Sequence, residues 1–553
     1  MKWISKQNLT SEEPTKRLKE ILKCLLINRG ITTKAAIHNF VHPPHPADIK
    51  IADLGINQTA LTAALKRINT AIAQQESIVI FGDYDADGIT ATAIMWETLY
   101  GLKAKVIPFI PHREKHGYGL SIKAVDDVIE QHHPRLIITV DNGIVAHEAA
   151  EYVRRHNIDL IITDHHVATT TPPAALAILH STQLAGAGVS WIVSREIIKS
   201  AKAKDWREIM AHSLDLATIG TVADQVSLSN HNRSLVKAGL EILRKTARVG
   251  LLELFSQAQF DQSSLSTYHI NFVIAPRINA MGRLAHGLDS LRLLCTSNAE
   301  KARTLAQTLG DTNQERQDLT FELLQTAKNM VGTALDSIIV IDKADFHEGV
   351  IGLVAGKLAE SFYRPSIVIG RGPEVSKASA RSIAGVNIIT LIRRLDHLLI
   401  NAGGHPMAAG FTIETVKIEA FKTAITALAN QSIEASLLEP SLSADVSLEM
   451  TDISWELLKL IHSLEPFGVD NQKPIFWLKD CPVLEKRTIG QEKKHLKLIL
   501  PSHLKDQATI DALWFGHGGE IDAIAKRADM LVTLDENTWK GHSKLQFLIK
   551  DIK

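Results

Sequence analysis

Short apolar runs that lead directly into acidic residues are the feature that most constrains the fold of this 553-residue chain. Three such runs are SIVIFG, LIITV and LIIT, which start at residues 77, 136 and 160, and VIPFIP at residues 106–111 is a further short apolar run. Runs of this length that are rich in β-branched residues predict buried strands, and the segments between them have helical patterns. Strands that alternate with helices predict a parallel sheet, and therefore an α/β fold.

The first acidic loop, DYDADG at residues 83–88, begins as a calcium-binding EF-hand loop does. An EF-hand loop needs a bidentate Glu six residues after its glycine, and that position here is Ile94. It also follows a helix, whereas this loop follows a predicted strand and precedes a predicted helix. The sequence therefore favours a strand–carboxylate loop–helix unit over a calcium loop.

Composition excludes several classes of protein. Lys plus Arg and Asp plus Glu number 61 each, so any nucleic-acid surface must be local rather than a consequence of net charge. Cys24, Cys295 and Cys481 form no CxxC pair, which argues against a zinc knuckle. The N-terminus has no apolar signal-peptide core, and no apolar run reaches about 18 residues. We expect a cytoplasmic protein without a membrane span.

The predicted fold class is multidomain α/β. Residues 298–332 contain no proline and predict one long connector helix of roughly 50 Å. The predicted segments, in chain order, are an N-terminal helical segment (1–75), an α/β domain (76–235), a helical region with the connector (236–335), a second α/β domain (336–435) and a small β-barrel (440–553).

Acidic residues and histidines at the ends of these runs predict a metal site. A fourth ending is Asp224, after the segment DLATIGTVAD. Ligands of open α/β sheets bind beyond the carboxyl ends of the strands, so we expect the four endings to meet at one edge. Their mutual repulsion and desolvation would be costly without cations. The residues concerned are Asp83, Asp85, Asp87, Asp141, Asp164, His165, His166 and Asp224.

Asp and His ligands without Cys suit Mn²⁺ or Mg²⁺, with Zn²⁺ or Co²⁺ as alternatives. Two bridged ions activate a water and hold a phosphate, so phosphoester hydrolysis is the leading reaction class. A single strand-end Asp is usually a helix cap, and Asp141 before Asn-Gly alone would indicate only a turn. Four such endings in one chain favour the metal site.

Four ordered motifs carry a family resemblance. DYDADG, DNG, DHH and GTVAD resemble the motifs of the DHH phosphoesterase superfamily, and GGHPMAAG resembles its DHHA1 partner domain. Segments at 111–120, 275–284 and 464–476, together with the C-terminal barrel, are similar to the RecJ family within that superfamily. The resemblance covers almost the whole chain from about residue 30.

This resemblance implies a Mn²⁺- or Mg²⁺-dependent 5′→3′ exonuclease that is specific for single-stranded DNA and acts in recombination and repair. It implies that Asp141 bridges two ions and that Asp85, Asp87, His165 and Asp224 are further ligands. Asp83 and His166 lie beside them as ligands, as partners of ligands or as transition-state contacts. Many superfamily members have a metal-binding His four residues before the DxD, where this chain has Phe81.

The resemblance also implies how a terminal phosphate is held. Arg binds phosphate bidentately, and a glycine-rich turn lets backbone amides approach it. The C-terminal barrel resembles an OB-fold, where Trp514 and Phe515 are either barrel core or stacking groups for bases. The predicted phosphate-binding residues are Arg113, Arg283, Ser379, Arg381, Gly403, Gly404 and His405.

The implied partners are single-stranded DNA, a single-stranded-DNA-binding protein and a helicase, and the chain is expected to be a monomer. Two alternative functions are also compatible with the sequence. One is a phosphodiesterase for dinucleotides or short oligoribonucleotides, although such relatives usually lack the barrel. The other is a DNA-binding scaffold without activity, although this chain keeps its acids and double His.

Overall fold

A computed structural model describes residues 1–7, 9, 13–117, 119–332, 334–539 and 541–553. The chain divides into two compact units. The larger unit contains residues 3–275, 294–297 and 442–553, and the smaller unit contains residues 1–2, 276–293 and 298–441. Across the described residues, no helix has both the length and the apolar character needed to cross a membrane.

The first part of the larger unit is mostly helical, as its sequence predicts. Helix α3 begins after Asn57, whose side chain accepts a hydrogen bond from Ala60 N, and it buries Leu61, Ala64 and Ile68. The elements are β1 (Lys2–Ser5), α1 (Pro14–Ile27), α2 (Lys34–Val41) and α3 (Gln58–Ala73).

A five-stranded, fully parallel sheet follows, in the order β3-β2-β4-β5-β6. The predicted strands at 77–81, 106–111, 135–141 and 159–166 are confirmed, whereas the short β6 has no strong sequence signal. The elements are β2 (Ile78–Phe81), α4 (Ala86–Gly101), β3 (Val106–Phe109), α5 (Arg113–His116), α6 (Ile122–His132), β4 (Leu136–Val140), α7 (His147–Arg155), β5 (Asp159–Asp164), β6 (Ala177–His180) and α8 (Gly186–Ser200).

The strand order places a switch point between β2 and β4. The chain leaves β2 for β3 on one side of the sheet and then returns to β4 on the other side. Connections that diverge in this way open a crevice at the carboxyl ends of the two strands, where doubly wound folds bind ligands. The first two predicted acidic loops follow β2 and β4, so both lie at this crevice.

Helices complete the middle of the larger unit. Helices α4, α8 and α10 pack against one another, and almost every residue of α10 is buried. A π-helical turn, Ile270–Ile274, connects α13 to α14. The helices are α9 (Trp206–His212), α10 (Leu214–Ala223), α11 (Asn230–Leu243), α12 (Val249–Gln257) and α13 (Thr267–His269).

The smaller unit contains the long helix and the second α/β domain, both as predicted. Helix α16 has 32 residues, and the five-stranded sheet has the order β10-β11-β9-β8-β7. The elements are α14 (Ala275–Leu284), α15 (Leu288–Cys295), α16 (Ala299–Met330), β7 (Ile339–Lys343), α17 (Ile351–Phe362), β8 (Ser366–Gly370), β9 (Val375–Arg381), α18 (Ile388–Arg393), β10 (Leu399–His405), β11 (Ala408–Glu414) and α19 (Ile418–Ser432).

The prediction that Gly403, Gly404 and His405 form a tight turn is wrong. These residues are the end of strand β10, and the chain turns at the next two residues, Pro406 and Met407. Gly404 has a positive φ of 142°, and a side chain there would come within 2.4 Å of Ala408 O, so its backbone conformation and the close approach of β11 both require glycine.

The C-terminal part of the larger unit is a seven-stranded sheet in the order β13-β14-β18-β19-β17-β16-β15. Its core contains Ile21, Leu25 and Leu26 of α1, so the two ends of the chain share one hydrophobic cluster. The elements are β12 (Ser441–Ala444), β13 (Val446–Leu448), α20 (Trp455–Ser463), β14 (Phe476–Pro482), β15 (Glu485–Ile489), β16 (His495–Leu504), β17 (Gln507–Trp514), β18 (Arg527–Trp539) and β19 (His542–Ile552).

Arg233 on α11 attaches the C-terminal part to the helices of the larger unit. Its guanidinium donates to the carbonyl oxygens of Leu464 (3.0 Å), Glu465 (2.7 Å) and Pro466 (3.3 Å). It also donates to Phe40 O at 2.6 Å and lies 3.7 Å from the centroid of that ring. The segment 464–476, which the sequence marks only by family resemblance, therefore supplies acceptors to a buried cation.

Replacing Arg233 with Ala is expected to lower the free energy of unfolding by about 3 kcal/mol, because several buried carbonyl oxygens would lose their donor. Urea denaturation followed by tryptophan fluorescence measures this loss. Arg207→Ala is the matched control, since Arg207 is exposed and contacts the Trp206 ring and Asp48 at the surface. Equal shifts for the two variants would contradict the role of Arg233.

Candidate metal centre

Acids and histidines from three strand ends and one helix meet at the crevice between β2 and β4. Asp87 lies in the first turn of α4, Asp141 follows β4, and His165 follows β5. Asp224 caps the C-terminus of helix α10. The sequence places Asp224 correctly in the group, but the expectation that it ends a strand is wrong.

His165 is the centre of this group. Its Nε2 lies 3.1 Å from Asp141 Oδ1, 3.5 Å from Asp224 Oδ2 and 3.9 Å from Asp87 Oδ2. Two groups of three residues include His165, and within each group the possible ligand atoms all lie within 4.8 Å of one another. They are Asp141, His165 and His166, and Asp87, His165 and Asp224. An imidazole nitrogen binds a single ion, so His165 would serve one cation, and a second cation nearby would be held by the carboxylates.

Backbone amides at the start of α8 hold the Asp87 carboxylate. Gly186 N donates to Asp87 Oδ2 at 2.7 Å, and Ala187 N donates to Asp87 Oδ1 at 2.8 Å. The first amides of a helix have no partner within the helix and carry its positive end, so they favour a carboxylate. Asp87 is therefore fixed in orientation although it is buried.

Asp164 organises the loop that carries both histidines. Its Oδ1 accepts hydrogen bonds from His165 N (2.7 Å) and His166 N (3.1 Å) and contacts His166 Nδ1 at 2.8 Å. Its Oδ2 accepts from Ile144 N at 2.9 Å. These contacts fix the orientation of the His166 ring and of the loop that carries it.

Burial and mutual repulsion raise the pKa values of the central acids. Burial is the largest cause at Asp87, where the pKa rises to about 7, and at Asp224, where it rises to about 9. The pKa of Asp141 is also raised well above its usual value, first by burial and then by the neighbouring acids. Asp141 further adopts a left-handed backbone conformation with φ of 62°, which costs energy for a residue with a side chain.

These residues fit a divalent cation. Within the described chain, the buried atoms Asp141 Oδ1 and Asp224 Oδ2 receive no hydrogen bond of suitable geometry. Buried carboxylate oxygens without donors are costly, and a cation would satisfy them. Carboxylates combined with one or two imidazoles suit Mn²⁺ or Mg²⁺.

The remaining predicted acids lie at the margin of this group. Asp85 caps α4, since its Oδ1 accepts from Gly88 N at 2.9 Å, and it belongs to neither ligand set. Asp83 is buried beside it, and its Oδ1 accepts from Tyr84 N. Phe81 is fully buried and stacks on Phe109 at 5.3 Å, so this position serves the hydrophobic core rather than a metal.

Two of the predicted phosphate-binding arginines are found in different units. Arg113 begins α5 in the larger unit, where its guanidinium lies 5.6 Å from the centroid of the Tyr84 ring, beside the first acidic loop. Tyr118, in the same motif segment, lies outside the described residues. Arg283 ends α14 in the smaller unit and donates to Gly349 O at 2.9 Å.

The smaller unit brings four of the other predicted residues together on one sheet face, while Gly404 lies on the opposite face. His405 pairs with Ala408, which pairs with Arg381, and Gly403 pairs with Gly410, which pairs with Ser379. Directly paired residues point to the same face, and the intervening Ala and Gly leave space between the larger side chains. Arg381 also donates to Ser379 Oγ at 3.2 Å.

Trp514 and Phe515 were each predicted to be either barrel core or a stacking group for bases, and the structure places them differently. Trp514 is 5% exposed and belongs to the hydrophobic core. Phe515 is 56% exposed and makes an edge contact with His495 at 5.2 Å. Only Phe515 is available as a stacking surface.

Comparison with known proteins finds similarity over most of the chain. The sequence matches family models described as the DHH family N-terminal domain (residues 77–221), the DHHA1 domain (335–431) and the RecJ OB domain (444–551). It is 34% identical to the single-stranded-DNA-specific exonuclease RecJ of Bacillus subtilis, over 96% of this chain and 67% of that protein. It is 31% identical to RecJ of Escherichia coli, over 88% of this chain and 89% of that protein.

The chain belongs to the RecJ family. Among solved structures, RecJ of Thermus thermophilus in complex with Mn²⁺ superposes with a TM-score of 0.82 at 28% identity, covering 100% of this chain and 79% of that one. The Mg²⁺ complex of that RecJ gives a TM-score of 0.76 at 26% identity, covering 100% and 78%. The resemblance and the fold class predicted from sequence are confirmed, while the domain boundaries stay a prediction.

Some roles in this RecJ-family site have no signal in the sequence. The sequence groups Asp164 with the acids of the metal site, and the structure shows that it holds the histidine loop. The amides of Gly186 and Ala187 gave no signal, because backbone donors are present at every residue and only the fold selects two of them.

Binding of Mn²⁺ to the metal-free protein is expected to release about one proton or more at pH 7, because Asp87 and Asp224 hold protons near that pH. Affinity should therefore rise with pH through about 7 to 9. Calorimetric titration at pH 7 in two buffers with different ionisation enthalpies counts the protons. Asp224→Asn should release fewer, and binding without net proton release would contradict the raised pKa values.

Proposed function

We propose that this chain is a 5′→3′ exonuclease that is specific for single-stranded DNA and removes 5′-mononucleotides by metal-dependent hydrolysis. The observation that carries the proposal is the group of three acids, Asp87, Asp141 and Asp224, around His165 at the switch point. Its occurrence in a RecJ-family chain that also has an OB domain favours a nuclease for strands over a phosphodiesterase for dinucleotides. Recombination and DNA repair are the processes that such an activity serves.

The proposed cofactor is two Mn²⁺ or Mg²⁺ ions. We assign Asp87, Asp141, His165 and Asp224 as their ligands, with Asp85 as a further ligand at the margin. When bound, such ions would lower the pKa of a water molecule and offset negative charge on a phosphate. The amides of α8 orient Asp87, and Asp164 orients the histidine loop, so the ligand atoms are held in place by the fold.

The reaction joins the water oxygen to the phosphorus that links the first two nucleotides. The bond from that phosphorus to the 3′-oxygen of the first nucleotide breaks, and the 3′-oxygen takes up a proton. The hydrogen bond with Asp164 raises the pKa of His166 despite its burial, so His166 is suited to donate this proton. Each cycle leaves a new strand that again begins with a 5′-phosphate.

Because every cycle leaves a strand with a 5′-phosphate, the enzyme needs side chains that bind this phosphate, and the smaller unit contains suitable ones. Ser379, Arg381 and His405 share a sheet face, and Gly352 at the start of α17 lies against the first two. We assign this face, with Arg283 and Gly404, to the terminal phosphate. Arg113 of the larger unit is assigned to a phosphate near the first acidic loop.

A cleft in the larger unit supplies a surface for the strand. Its volume is about 850 Å³, and its walls come from α13, the π-helical turn and the C-terminal sheet. Tyr268 and Phe272 line it with 62% and 66% of their surface exposed, and their ring centroids are 4.8 Å apart. Gln225, the neighbour of Asp224, also lines it, so the cleft begins beside the metal centre.

We also propose that the protein acts as a monomer in the cytoplasm, together with a single-stranded-DNA-binding protein and a helicase. The family resemblance is the support for these partners and this location.

Asp141→Asn is expected to reduce hydrolysis of a 5′-phosphorylated single strand by more than about 100-fold while largely preserving strand binding, because the carboxylate is a metal ligand. Release of mononucleotides from 5′- and 3′-labelled strands, a duplex and a dinucleotide measures activity, polarity and substrate class together. Asp126→Asn, at an exposed Asp of the same domain, is the control. Full activity of Asp141→Asn at saturating Mn²⁺ would refute the assignment.

Tyr268→Ala is expected to weaken binding of a single-stranded oligonucleotide by about fivefold or more, because base stacking on an aromatic ring contributes about 1–3 kcal/mol. Fluorescence anisotropy in the Asp141→Asn background measures binding without degradation. Tyr100→Ala is the matched control, since Tyr100 is similarly exposed on α4 and stacks on Trp96. Unchanged binding in Tyr268→Ala would exclude the cleft as the path of the strand.

A further inference from the structure

Glycines lie directly against the buried acids of the metal centre. A Cβ atom at Gly186 would come within 2.3 Å of Asp141 Oδ1. A Cβ atom at Gly220 would come within 2.5 Å of Asp87 Oδ1. Real Cβ atoms do not approach other heavy atoms so closely, so even the smallest side chain would have to displace a carboxylate or a helix.

These two glycines belong to two different buried helices. Gly186 is the first residue of α8, and Gly220 lies in the middle of α10. Neither needs glycine for its backbone conformation, since neither has a positive φ. Glycine in a helix interior costs about 1 kcal/mol relative to Ala, so the reason for Gly220 must lie in packing or function.

Close approach of α8 is what allows its amides to reach Asp87. Gly186 N and Ala187 N are both within 2.8 Å of the Asp87 carboxylate, while the α-carbon of Gly186 faces Asp141. The amide of Gly186 therefore donates to Asp87, and the absence of a Cβ atom at Gly186 leaves room for the Asp141 carboxylate. A longer distance between α8 and α4 would lose these hydrogen bonds and leave a buried carboxylate without donors.

We propose that Gly186 and Gly220 are positioning residues of the metal centre, whose missing side chains set the places of the Asp141 and Asp87 carboxylates. The inference rests on the proposed metal-dependent function. Gly186 keeps the space beside Asp141 open and delivers the amides of α8. Gly220 lets α10, which ends in Asp224, pass against Asp87 without pushing its carboxylate away.

Gly239 provides a matched control for this proposal. A Cβ atom at Gly239 on α11 would lie 1.7 Å from Thr218 Oγ1 and 2.6 Å from Leu214 O, so it would collide with α10 at least as severely. None of these contacts involves a proposed metal ligand. Gly101→Ala, at the end of α4 where a Cβ meets nothing within 4 Å, is the control for substitution alone.

The test measures Mn²⁺ binding to the full-length, metal-free variants, using electron paramagnetic resonance to quantify free Mn²⁺. Circular dichroism gives the thermal midpoint of each metal-free variant. Gly186→Ala and Gly220→Ala should bind Mn²⁺ about tenfold or more weakly than the wild type, as substitutions next to metal ligands do. Gly239→Ala should lower the thermal midpoint and keep wild-type affinity. Gly101→Ala should change neither quantity.

A triple variant separates positioning from folding. Thr90 Oγ1 and Ala187 Cβ, at 2.3 Å and 2.5 Å, are with Asp87 Oδ1 the three atoms nearest to a Cβ at Gly220. Gly220→Ala combined with Thr90→Ala and Ala187→Gly removes those collisions and keeps the collision with Asp87. Recovery of the thermal midpoint with affinity still low supports the proposal.

Two outcomes would overturn the proposal. One is wild-type Mn²⁺ affinity in Gly186→Ala and in the triple variant. The other is an equal loss of affinity in Gly239→Ala, which would show a general effect of helix packing. Failure of the wild type to bind Mn²⁺ would refute the proposed metal centre itself, and this result is distinct from both.

Discussion

Repulsion among buried carboxylates is the constraint on which the rest of this structure depends. Asp87, Asp141 and Asp224 lie within a few ångströms of His165 in a buried pocket, and burial alone already raises their pKa values. The fold opposes this cost with two helix amides at Asp87 and one imidazole at the centre. Helices α4, α8 and α10 must therefore pack closely around a site that is electrostatically unfavourable until cations bind.

Sequence patterns were sufficient for the sheet and for most of the site. Short runs rich in β-branched residues identified four of the five parallel strands, because parallel strands buried on both faces are almost continuously apolar. The sequence alone predicts that Asp87, Asp141 and His165 lie close together, because the carboxyl ends of parallel strands meet at one edge of the sheet. Their convergence follows from topology and needs no knowledge of side-chain positions.

Other features depend on tertiary context and could not be predicted in this way. Asp224 ends a helix whose apolar residues give no clear period, because α10 is buried on every side. The glycines of β10 suggest a turn, although their actual neighbour is strand β11. Phe81 replaces a family ligand, and only its contact with Phe109 shows that the position belongs to the core.

Helix α1 has a consequence for the order in which this chain can fold. Its residues Ile21, Leu25 and Leu26 complete the core of the C-terminal sheet, more than 400 residues later in sequence, and Arg17 binds Asp452 through two hydrogen bonds of 2.6 Å. During synthesis, α1 leaves the ribosome long before the strands that cover it. Its apolar face must stay uncovered or be shielded by a chaperone until those strands emerge, so this helix is secured only long after it has been made.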